Sequence, residues 1–204
     1  MGYPYAPLMS APTSAPGDGQ PRTTYLLVDG ENIDATLGAS ILRHRPSPEE
    51  RPRWDRVLDF AARTWGQPVR GLFFLAANNE LPGSFVQALL AMDYRPVPLS
   101  GGANEKIVDI AIQRTLTELA RREGDVLLVS HDADFVDQVT ALVDDGGRRV
   151  GVIGFREFRS QAYAPLLERG LEGYDLEFDV RAFRTPLPRV RIIPIEEFDP
   201  AEFL

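Results

Sequence analysis

Apolar residues follow two rhythms along the chain. Short, nearly all-apolar runs alternate with longer segments in which apolar residues recur every three or four positions. The runs TTYLLVD (23–29), VRGLFFLA (69–76), RPVPLS (95–100), DVLLVS (125–130) and RVGVIGF (149–155) predict strands. The segments 32–42, 54–65, 84–93, 104–123 and 133–145 predict helices. In the second of these, Trp54, Val57, Leu58, Ala61, Ala62 and Trp65 share one helical face. In the longest, Ile107, Ile110, Ala111, Leu116 and Leu119 form one stripe, and Gly124 is the expected stop. Strands without a polar face must be covered on both sides, and their alternation with helices fits parallel pairing. Residues 23–156 are therefore expected to form a three-layer, Rossmann-like α/β domain with a mainly parallel sheet of about five strands.

The flanks read differently. Residues 1–22 hold five prolines and few charges, which predicts a disordered tail. Residues 43–53 (RHRPSPEERPR) predict a loop rich in proline and arginine. Residues 157–204 are expected to be a partly ordered extension, with a helix in SQAYAPLLERG and an edge strand at YDLEFDV (174–180). Its end alternates acidic and apolar residues. It either drapes over the sheet or docks a protein partner through Phe198, Phe203 and Leu204.

Composition narrows the chemistry. With no cysteine, the chain has no disulfide, no thiolate metal site and no cysteine nucleophile. His44 and His131 are the only histidines, too few for a histidine-rich zinc centre. No apolar run is long enough to span a bilayer. Neither is there a secretory-signal pattern in residues 1–22, so a cytoplasmic protein is expected. The net charge of −8 argues against a protein that coats nucleic acid, but leaves room for a local basic track. Lys106 is the single lysine.

Parallel α/β sheets carry their chemistry at the carboxyl ends of the strands. Asp29-Gly30-Glu31-Asn32 follows the first strand, and Ser130-His131-Asp132-Ala133-Asp134-Phe135 closes the strand at 125–130. Asp109 interrupts the apolar stretch IVDIAI. Each acid alone has an ordinary explanation: Asp29, Asp132 and Asp134 as helix caps, Asp109 as an ion-pair partner of Lys106. If the two strands are neighbours, the acids meet. Clustered carboxylates repel one another unless a cation lies between them, and all-oxygen ligands suit Mg²⁺ or Mn²⁺. Asn32 and Ser130 are placed to support the acids, and His131 reads as packing. No P-loop or dehalogenase-type pattern occurs. A Toprim-like site built on Glu31 would leave Asp109 unused.

The motifs D-G-x-N (Asp29 to Asn32), K-x-V-D (Lys106 to Asp109), S-x-D-x-D-F (Ser130 to Phe135) and V-x-V-x-G (Val150 to Gly154) resemble the NYN domain. That is the PIN-like nuclease group that includes bacterial LabA-like proteins. The resemblance spans about residues 23–156. It implies a PIN-like fold and ribonuclease chemistry dependent on Mg²⁺ or Mn²⁺. Asp29, Asp109, Asp132 and Asp134 would be the metal-binding, catalytic acids, with Asn32, Ser130 and Lys106 assisting. RNA would be held by Arg43, Arg45, Arg51, Arg53, Arg156 and Arg159. The chain departs from the family pattern in having Gln113, Arg114 and Thr115 where many relatives carry another acid, and His131 where glycine is common. An inactive, RNA-binding or regulatory module of the same fold is the competing expectation.

Overall fold

Among the described residues six strands run parallel, in the order β3-β2-β1-β4-β5-β6. They are β1 (Thr24–Asp29), β2 (Val69–Ala76), β3 (Tyr94–Leu99), β4 (Asp125–Val129), β5 (Val150–Gly154) and β6 (Glu172–Asp175). The helices are α1 (Gly30–Thr36), α2 (Trp54–Trp65), α3 (Gly83–Ala91), α4 (Ile107–Leu119), α5 (Val136–Asp144) and α6 (Ala164–Glu168). This computed structural model describes residues 22–77, 83–102, 106–189, 193 and 195–203. The expected tail at 1–21, residues 78–82, residues 103–105 at the start of the expected helix and the anchor Leu204 lie outside the described residues.

The period of two in each strand divides the core. Leu26, Val28, Phe73, Leu127, Val129 and Ile153 face α1, α2 and α3. Leu27, Phe74, Val126, Leu128, Val150 and Val152 face α4, α5 and α6. This is the expected three-layer α/β fold. The chain winds outward from β1 to β3 on one side and from β4 to β6 on the other. The direction reverses between β1 and β4, whose registers pair Leu27 with Leu128 and Val28 with Val129. A cleft for ligands opens at such a reversal, outside the carboxyl ends of the strands.

Several boundaries differ from expectation for local reasons. The first helix starts at Gly30, because the Asp29 carboxylate caps it, and it widens into a π-helical turn over Leu37–Leu42. Gly30 is itself confined: a Cβ there would stand 2.7 Å from Cε1 and Cζ of Phe73. The buried residues of α4 are Val108, Ile112, Leu116 and Leu119, so the stripe is rotated from the expected one, with Ile107 and Ala111 at its margin. That helix also ends at Leu119, ahead of Gly124, where Arg148 donates to the Leu119, Gly124 and Ala120 carbonyls. Residues 133–145 open as a 3₁₀ turn before α5 begins.

The strand expected at 174–180 is instead β6 at Glu172–Asp175. Asp175 ends it by accepting from the backbone N–H groups of Glu177 and Phe178, folding 176–180 into a turn. Leu176 and Val180 of that turn, with Ala182 and Phe183 after it, complete the core on the α2 face. Arg189, 5% exposed, clasps this segment by donating to Asp175, Glu157 and Glu177. Its guanidinium also lies over the Phe155 and Phe178 rings. Farther on, Ile195, on a short 3₁₀ turn, and Phe198, just after it, are exposed. No helix among the described residues is long and apolar enough to cross a membrane.

Candidate active site

Asp29 is the last residue of β1, and its side chain turns into the space above the β1–β4 seam. It is 2% exposed. One oxygen, Oδ1, accepts from the Asn32 N–H at 3.1 Å, and Oδ2 accepts from the Ser130 hydroxyl at 3.2 Å. Ser130 follows β4 directly, so that second bond spans the seam. Its Oγ in turn accepts from the Asp132 N–H at 3.3 Å.

Asn32 ties the two strand ends together. Its Nδ2 donates to Asp132 Oδ2 at 3.3 Å, and its Oδ1 accepts from the His131 N–H at 3.3 Å. Asp132 also accepts from the Asp134 N–H at 3.1 Å, which caps the 3₁₀ turn. Tyr163, buried, donates its hydroxyl to the Asp132 carbonyl at 2.7 Å. The strand-end loop is therefore held from both sides.

Asp109 and Lys106 come from the start of α4. The Lys106 ammonium lies 2.7 Å from Asp134 Oδ2 and 3.5 Å from Asp109 Oδ2. Two acids thus flank one exposed cation and raise the Lys106 pKa, chiefly through its bond to Asp134, with a smaller effect of the Asp132 charge. Gln113, one turn beyond Asp109, donates to the Asp134 carbonyl at 2.8 Å.

The electrostatics mark these acids as one group. Burial pushes the Asp29 carboxyl up to about 6, and the charges of Asp109 and Glu31 add to the rise. Hydrogen bonds from Asn32 and Ser130 oppose it. Asp109 is also raised, by burial and then by Asp132 and Asp134, against the pull of Lys106. Burial and, after it, the neighbouring carboxylates disfavour the charged acids, a cost that a cation between them would offset. Hard carboxylate oxygens of this kind suit a divalent cation of the Mg²⁺ class. Among the described residues, no three histidine or acidic side chains are already gathered around one point. Side-chain rotation would have to close the ligand set.

Most of the expected site residues meet here: Asp29, Asn32, Lys106, Asp109, Ser130, Asp132 and Asp134. The arginines disperse. Arg51 pairs with Asp34 at 2.8 Å, Arg53 with Asp55 at 2.6 Å and Arg156 with Asp179 at 3.6 Å. Arg159 is half-buried and donates to the Tyr174 carbonyl. Arg43 and Arg45 are exposed beside α1, in a shallow depression they share with Asp34 and Pro46. His131 is packing, as its position suggested. Buried between Phe155 and Phe158, it is bonded through Nε2 to the Thr36 hydroxyl at 2.8 Å, and burial lowers its pKa to about 4.

Three supporting residues escaped the sequence reading. Gln113 had a findable signal, because the i, i+4 spacing puts it beside Asp109. Thr36 and Tyr163 had none. Their partners lie far along the chain.

The NYN domain family matches residues 23–167, well over half of the chain. The chain belongs to that family. NYN domains are as a group PIN-like nucleases, and the acids described above lie on the matched segment. A crystal structure of a protein of unknown function from Vibrio parahaemolyticus RIMD 2210633 is similar, with a TM-score of 0.61 and 18% identity. The match covers 78% of this chain and 95% of that one, and it shows the shared fold. No curated protein matches the chain.

Proposed function

We propose that this NYN domain is a ribonuclease that depends on Mg²⁺ or Mn²⁺ and hydrolyses RNA phosphodiester bonds at Asp29, Asp109, Asp132 and Asp134. One observation carries the reading. Acids from the end of β1, the turn after β4 and the start of α4 gather at the sheet's reversal point, where burial and then the charge of Asp109 raise the pKa of Asp29.

Asp29, Asp109 and Asp132 would hold the cation, with Asp134 beside them. When bound, it would acidify a water and neutralise charge on the phosphate. The chain's own groups do the rest. Asn32 and Ser130 fix Asp29 and Asp132 relative to each other, so that the acids are positioned before substrate arrives. Lys106 balances Asp134 and presents an ammonium at the open side of the cluster, where a phosphate would lie. Arg43 and Arg45, exposed and outside any ion pair among the described residues, are the cations on the α1 side for the RNA backbone. Arg51, Arg53 and Arg156 already neutralise acids of the chain itself, which lowers their availability to RNA.

The test is cleavage of a mixed RNA panel in Mn²⁺, with Asp29→Asn as control. A second reading, RNA binding without cleavage, is favoured by the Lys106 ammonium bridging Asp134 and Asp109. Equal cleavage by the parent and by Asp29→Asn would leave that second reading standing. The exposed Ile195 and Phe198 support a docking role for the C-terminal tail toward a protein partner. Deleting residues 194–204 should then abolish partner binding while leaving folding intact.

A further inference from the structure

A groove of about 950 Å³ opens between the outer flank of α2 and the β6 edge of the sheet, away from the acids. On the α2 side, Arg56, Phe60 and Arg63 line up at helical spacing. Tyr174 of β6 and residues 178–181 of the following turn form the other wall. The Phe60 and Tyr174 rings meet edge to face at 5.1 Å on the groove floor. Phe178, also lining the groove, is 38% exposed, with the Arg189 guanidinium over its ring.

The cations here contrast with the rest of a chain of net charge −8. Arg63 and Arg181 are exposed, and neither is in an ion pair among the described residues. Arg56 uses Nη1 to bond the carbonyls of Arg181 and Phe183, which fixes one wall to the other. Of the two acids present, Asp179 is paired with Arg156, leaving Asp59 as the opposing charge. Arginines alternating with aromatic rings along an open groove are the pattern that binds single strands: cations follow the phosphates and rings stack on bases. An acidic peptide would use the arginines but gain nothing from the rings. The turn wall follows the carboxyl end of β6. By strand spacing it lies three strands from Asp29 along the same edge, about 14 Å.

We propose that this groove is a second binding site for single-stranded RNA, separate from the acidic cluster and feeding the same sheet edge. The inference rests on the ribonuclease reading for its ligand, but on none of that reading's residues.

The test uses the full chain carrying Asp29→Asn, so that bound RNA stays intact, and a labelled oligouridylate read by fluorescence anisotropy. Arg63→Gln combined with Arg181→Gly removes two exposed cations. Glycine suits position 181, where φ is 57°, so folding is preserved, and a thermal melt checks it. Two lost phosphate contacts should weaken binding about 25-fold at about 0.1 M salt and flatten the salt slope by about 1.4. Asp59→Asn should strengthen binding. A 4-thiouridine probe should cross-link to Tyr174. Unchanged affinity and slope, with Asp29-dependent cleavage by the parent intact, would overturn the groove and spare the ribonuclease. RNA neither bound nor cut by the parent would overturn both. Binding of a polyglutamate peptide that the double variant loses, with RNA unaffected, would reassign the groove to an acidic peptide and overturn the proposal.

Discussion

Replacing Asp29 by Asn should make the metal-free protein more stable at neutral pH. The carboxyl group is 2% exposed, and burial with the charges of Asp109 and Glu31 holds its pKa at about 6. In the unfolded chain it titrates near 3.8. Between those values the folded protein keeps a proton that the unfolded chain has lost. The stability contributed by this group is full below 3.8 and disappears as pH rises through about 6. Above that window the ionised group destabilises the fold by about 3 kcal/mol.

Asparagine has the same size and caps a helix as well as aspartate does. Its Oδ1 can accept from Asn32, and its Nδ2 can donate to Ser130. The charge is lost while the bonds remain. Urea unfolding in a chelator should therefore show the variant about 2–3 kcal/mol more stable at neutral pH, with the gain vanishing near about pH 4. Taking the difference between the two proteins cancels every other titrating group. Added Mn²⁺ should reverse the order by stabilising the parent alone. A variant that is equally or less stable at neutral pH in chelator would refute the reasoning, because the ionised Asp29 would then carry no penalty from burial and neighbouring charge.

Four further outcomes follow from the same geometry. Asp132→Asn should reduce turnover far more than RNA affinity, read by separate cleavage and binding assays, whereas a matched loss of both would speak for a binding role. Arg43→Ala with Arg45→Ala should weaken RNA binding and flatten its salt slope by about 1.4, with turnover at saturating RNA retained. Gly30→Ala should cost about 1–3 kcal/mol in denaturant unfolding and impair cleavage, because the new methyl group meets Phe73 and displaces α1 from its Asp29 cap. Arg189→Ala should destabilise by about 3–5 kcal/mol, since it strands the fully buried Asp175; a loss below about 1 kcal/mol would mean that the clasp behaves as a surface pair.

Local pattern carried a large part of this protein. The four inner strands, β1, β2, β4 and β5, are largely apolar on both faces, so their runs were visible without any neighbour. Helix α2 was legible to the residue, because Trp54, Val57, Ala61 and Trp65 repeat at the helical period and Gly66 adopts the left-handed conformation that ends it. The acids stood out because each breaks an apolar run: Asp29 and Asp132 at strand ends, Asp109 inside IVDIAI.

What sequence left open was adjacency. That β1 lies beside β4, which brings Asp29 to Ser130, depends on the order in which strands pack, and a strand's own residues do not encode its neighbour. The sixth strand was expected at 174–180 but lies at 172–175, for a related reason. EGYD has no apolar run, and its strand geometry comes from pairing with β5. The arginines were equally illegible, since an arginine in a loop reads alike whether it meets Asp34, Asp55 or solvent. Arg189 is the extreme case. It sits in a proline-rich stretch that looks like tail, yet it is nearly buried, because the three acids that hold it arrive from residues 157, 175 and 177. Period and composition act through residues a turn or two away, whereas partners and burial are fixed by contacts that exist only once the sheet has closed.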